Sequence, residues 1–110
     1  YDVQQGAAHA VVAPHVLAYL FDQTDARRAL LARALDADDG DDPADAVIDA
    51  VEEVVEALDL PTRLRDLDGP TREEFPTAAE HILADSFMRN APPGLDATAE
   101  DIVVVLDAAW

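Results

Sequence analysis

Apolar residues recur along this chain at intervals of three and four, and no stretch of useful length alternates as a strand would. The spacing predicts an all-α protein, a helical bundle. Residues 6–19 are an apolar, alanine-rich stretch, the pattern of a helix buried on most sides. Pro14 inside it removes one backbone hydrogen bond and predicts a kink near Ala10. Thr24 is placed to cap a second helix with Ala26, Leu30, Leu31, Ala34 and Leu35 on one face. An acidic run around Gly40, residues 36–42, breaks the pattern, and Asp42 followed by Pro43 signals a new N-terminus. The helix it opens carries the cleanest stripe of all: Val47, Ile48, Val51, Val54, Val55 and Leu58. Burying those six side chains would contribute roughly 10 kcal/mol before entropy, at about 1.5–3 kcal/mol each.

Leu60-Pro61-Thr62 ends that helix, and residues 64–67 read as a short turn. Thr71 and Glu74 have capping-box spacing. Pro76 then kinks or starts a helix that runs to about Ser86 over Ala79, Ile82 and Leu83. Residues 90–96, with Pro92, Pro93 and Gly94, form a loop. Thr98 with Asp101 opens the last helix, through Ile102, Val105, Leu106 and Ala109.

At 110 residues the chain is expected to make one all-helical domain, residues 1–110. It starts on Tyr1 rather than methionine, so it is expected to be a piece of a longer product. No apolar run reaches the roughly 18 residues of a membrane span, and no secretion signal is visible, so a cytoplasmic place is expected. With no cysteine, disulfides, thiolate metal sites and cysteine nucleophiles are excluded. Charge changes the picture most. The net charge is −17, from 17 Asp and 7 Glu against 7 Arg and no Lys. Such a chain repels phosphates, which argues against nucleic acid and anionic membranes as partners. Helix-spaced aliphatic residues argue for a folded acidic surface rather than a disordered tail. Aspartate preferred to glutamate, with lysine absent, resembles proteins of halophilic archaea.

The segment Tyr1, Asp2, Gly6, Ala10, Val11, Val12, Pro14, His15, Val16 and Tyr19 resembles, in register, a segment of iron-containing alcohol dehydrogenases and the related maleylacetate reductases. In those enzymes a Tyr-Asn-x-Pro-His-Gly-like run enters a long apolar helix that ends in Pro-His-Val and a later Tyr. The resemblance continues through Leu58-Asp59-Leu60-Pro61-Thr62-Arg63-Leu64-Arg65-Asp66-Leu67, where the family has Leu-Gly-x-Pro-x-x-Leu-Arg-x-Leu-Gly. Leu83-Ala84-Asp85, Asn90-Ala91-Pro92-Pro93 and Thr98-Ala99-Glu100-Asp101-Ile102 follow in the family's order. The resemblance implies the C-terminal helical domain of a two-domain oxidoreductase, nearer to the maleylacetate reductases. It implies a nucleotide-binding partner domain holding NAD or NADP, a divalent iron or zinc ion, an alcohol, aldehyde or keto-acid substrate, and a homo-oligomer.

The family's last metal-ligating histidine falls at Gln5. A neutral amide oxygen is a far weaker ligand for iron or zinc than imidazole. Gln5 therefore reads either as a modified site that holds metal weakly or works without it, or as an ordinary helix-start glutamine. His9 lies four residues on, hence on the same face. It reads as a replacement imidazole or a hydrogen-bond donor to substrate, with a histidine packed between helices as the bland alternative. His15 is six residues beyond His9, about 240° round the helix, so the two do not share a metal. It reads as a packing or capping residue, and His81 as a surface histidine. The acidic run around Gly40 fails as a calcium loop, because Leu35, Ala37 and Ala46 occupy positions that need oxygen ligands. No residue of this chain is singled out as catalytic or cofactor-binding beyond the metal candidates Gln5 and His9. The alternative reading is a free-standing acidic helical association module derived from the same family.

Overall fold

The computed structural model describes residues 3–25, 27–37 and 42–110. Among them stand five α-helices and no strand: α1 Gln5–Gln23, α2 Arg28–Ala34, α3 Pro43–Ala57, α4 Phe75–Ala84 and α5 Ala99–Ala108. Short 3₁₀ turns cover Leu64–Asp66, Arg72–Glu74 and Ser86–Asn90. The all-α helical bundle expected from the spacing is the fold observed. Tyr1, Asp2, Ala26 and the turn around Gly40 lie outside the described residues.

α1 is the spine. It packs on α3 along one flank and on α5 along another, while α2 rests on α3 and α4 on α5. The molecule measures 40 × 34 × 20 Å, and its thin dimension is two helix diameters. Two apolar cores sit along α1. The first gathers Val11, Leu64, Phe75, Ala78, Leu106 and Ala109, with the Trp110 ring edge-on to Phe75 at 5.7 Å. The second gathers Phe21, Ala32, Ala44 and Val47. A backbone bond from Leu64 N–H to Ala109 O at 2.8 Å ties the segment after α3 to the end of α5. The broad apolar surface of α1 is thus divided between two cores, and the helix continues on both sides of a buried Pro14.

Three local expectations change. Thr24 does not cap α2; its backbone N–H and hydroxyl both donate to Leu20 O, closing α1 at Gln23. α2 instead starts after Arg27, held at φ 54, with Arg28 donating to Phe21 O at 3.0 Å. The stripe on α2 turns outward: Leu30, Leu31, Ala34 and Leu35 are exposed, and the buried residue is Ala32. On α3, Val47 and Val55 are buried, whereas Val54 and Leu58 stay 57% and 63% exposed, so the six-residue burial is only partly realised. A seven-residue α2 is too short to cover that far edge of α3.

The capping signals behave as read. Asp42 accepts from Ala44 N–H at 2.9 Å, and Thr71 donates both its N–H and its hydroxyl to Glu74. α4 begins at Phe75 with Pro76 in its first turn, so the proline starts this helix rather than kinking it. The loop turns at Gly94, whose φ of 88° suits glycine, with Leu95 N–H donating to Pro92 O.

Candidate functional site

The start of α1 is built by Gln4, whose side chain accepts from Ala7 N–H at 2.6 Å. Gly6 makes room for that cap, because a Cβ there would stand 3.3 Å from Gln4 Oε1. The first turn therefore needs neither Gln5 nor His9. Both are exposed, one helical turn apart on the same face. Exposure removes the reading of His9 as a histidine packed between helices of this chain.

Beside that face lies an apolar hollow of about 420 Å³, lined by Val3, Ala8 and Val12 on the α1 side and by Pro70, Ala78, His81 and Ile82 across from it. His81 is thereby brought to the N-terminal half of α1. It remains a surface histidine, as expected, but one whose neighbours come from the far end of the sequence. The signal that would have found it is the helix pairing, which no spacing in the chain encodes.

His15 sits elsewhere, half-buried in a cleft of about 290 Å³ between α1 and α3 with Glu52, Glu56, Thr62 and Arg63. Burial lowers its pKa below the usual 6.5; the Glu52 carboxylate opposes this and the Arg63 guanidinium adds to it. It is half-buried there, in neither apolar core, and is not brought together with Gln5 and His9.

Further along α1, Tyr19 OH donates to Asp101 Oδ2 at 3.2 Å. Asp101 also accepts from Thr98 N–H at 3.0 Å, while its own N–H donates to Thr98 Oγ1. These bonds, the Thr98 contacts first, hold the Asp101 carboxyl below its ordinary range. Burial first, and then Asp101, raise the Tyr19 phenol. The box that opens α5 is thus also the anchor for the C-terminal half of α1.

Among the described residues no three His, Cys, Asp or Glu side chains cluster as a metal centre. Gln5 and His9 fit a metal only as two donors of a larger set, an amide oxygen and an imidazole nitrogen. No helix of the described residues is long and apolar enough to cross a membrane.

The comparisons with known proteins point one way. Residues 1–110 match the family model described as "Fe-containing alcohol dehydrogenase family, C-terminal". Lactaldehyde reductase of Escherichia coli (strain K12) is 31% identical over 114 residues, covering 100% of this chain and 29% of that protein. The lactaldehyde reductase of Escherichia coli O157:H7 matches to the same extent. The chain therefore spans under a third of the length of these curated relatives. No solved structure matches it at a significant level.

Proposed function

The chain belongs to the Fe-containing alcohol dehydrogenase family, and from that premise we propose that it forms the metal- and substrate-facing helical domain of an oxidoreductase that interconverts alcohols and aldehydes or keto-acids with NAD or NADP. The observation that carries the reading is the start of α1. Gln5 and His9 stand exposed on one face, free of the capping that Gln4 performs. A larger parent protein would supply the nucleotide-binding domain, and the cytoplasm is the proposed place of work.

When bound, a divalent metal supplies Lewis-acid polarisation of the substrate oxygen, and the nicotinamide supplies or accepts the hydride. The chain's own part is to orient. Gln5 offers its amide oxygen as a weak metal donor, or its NH₂ as a hydrogen-bond donor to substrate. His9, one turn on, offers a ring nitrogen as ligand, or a ring N–H to the substrate oxygen as that oxygen gains charge on reduction.

The natural-length protein provides the test. Its mass is expected to be several times 11.8 kDa, with NAD(P)H-dependent reduction of small aldehydes or maleylacetate. Gln5→His should tighten metal binding at least tenfold, and His9→Ala should lower kcat/KM by roughly 10²-fold. A native mass near 11.8 kDa with no hydride transfer would instead identify an acidic association module.

A further inference from the structure

The Gln5–His9 face continues along α1 as Val12, Val16 and Tyr19, steps of four, three, four and three residues that keep one side of a helix. Val16 is exposed, and Val12 and Tyr19 are half-buried. Together they form one wall of a groove of about 370 Å³, closed opposite by Ile82, Phe87 and Leu95. We infer that this groove receives the apolar body of the substrate, so that the enzyme prefers aldehydes and alcohols with a long alkyl or aryl chain to two- and three-carbon ones. The inference rests on the reading of Gln5 and His9 as the reaction end of the helix.

Its first support is position. At 1.5 Å of rise per residue, Val12 stands about 4.5 Å and Val16 about 10.5 Å beyond His9 along the axis. A substrate with its oxygen at His9 would lay its chain along this wall. The second support is charge. The protein carries 24 side-chain carboxylates in 110 residues, yet among the described residues no charged side chain lines the groove. Its Tyr19 hydroxyl is drawn off to Asp101. A surface so acidic that leaves this hollow without charge favours an uncharged apolar occupant. The third is form: the volume falls in the roughly 300–1,000 Å³ class of small-molecule sites, and Phe87, 80% exposed, stands among its lining residues with its ring open to solvent.

The test is a chain-length series on the natural-length protein, from acetaldehyde to octanal, with a calorimetric titration of octanol in the absence of nucleotide. The kcat/KM values should climb roughly threefold to fourfold per added methylene, the transfer value of a buried CH₂, until the groove is full. Val16→Trp fills the groove from an exposed position. It should abolish both the climb and octanol binding, with the urea-unfolding midpoint kept as the check that the variant folds. A flat series with normal acetaldehyde turnover and no octanol binding overturns the inference. It would mean that the parent's own residues or a second copy occupy the groove. A climb that survives Val16→Trp overturns it too. Octanol binding that Val16→Trp abolishes, with no aldehyde reduced, leaves the groove assignment standing and sinks the oxidoreductase reading instead.

Discussion

His15 shows how a single residue acquires a property that the chain alone does not give it. Its pKa is lowered because α3 and the segment after it bury the ring. The neutral ring is favoured in the fold, and the unfolded chain, titrating near 6.5, takes up the proton more readily. Its contribution is therefore present above that value and is lost as pH falls below it. We expect the urea midpoint to drop between about pH 7 and pH 5, and His15→Gln to flatten part of that drop. Unfolding curves at the two pH values decide it; an equal drop in the variant would acquit His15. Gln5 and His9 were legible as a pair because four residues on a helix fix a common face. His81 was not legible as a neighbour of α1, because it lies 69 positions along the chain from Val12 and only the pairing of helices brings the two walls of their hollow together.

At the scale of the helix, ends were read better than faces. The signals at Asp42, Thr71 and Thr98 depend on residues within one turn, and the structure uses all three. Thr24 misled because a threonine at a helix boundary can serve the helix behind it as well as the one ahead. The faces of α2 and α3 depend on what packs against them, and there periodicity marks more apolar positions than the fold covers. α3 ends in a Schellman motif, with Leu60 N–H donating to Val55 O, Asp59 N–H donating to Glu56 O, and Asp59 left-handed at φ 53. The resemblance read over residues 58–67 sets Asp59 at the glycine step of the Leu-Gly-x-Pro pattern. Aspartate tolerates that conformation at a cost that glycine avoids. Asp59→Gly should therefore stabilise the fold by about 0.5–1 kcal/mol in urea unfolding; destabilisation would show that the aspartate makes a compensating contact.

At the scale of the whole molecule the acids face water wherever they are described: no charged side chain is buried among the described residues. Pairs such as Arg72 with Asp107 at 2.9 Å neutralise a few of them, but seven arginines face 24 carboxylates. The screening length falls from about 10 Å at 0.1 M salt to about 3 Å at 1 M. Thermal stability should climb steeply from low to molar KCl, each kcal/mol gained raising Tm by roughly 4–8 °C for a chain of this size. A flat response would sink the high-salt reading of the composition. The sequence by itself determined the helical class, the helix starts at Asp42, Thr71 and Thr98, and the shared face of Gln5 and His9, because each rests on contacts within one or two turns. Only the tertiary structure decided which apolar stripes are covered, that α1 serves two cores, and that its exposed stripe walls an apolar groove with Ile82 and Phe87. Those depend on pairings between helices far apart in the chain, and the energy of burial fixes them without marking the sequence.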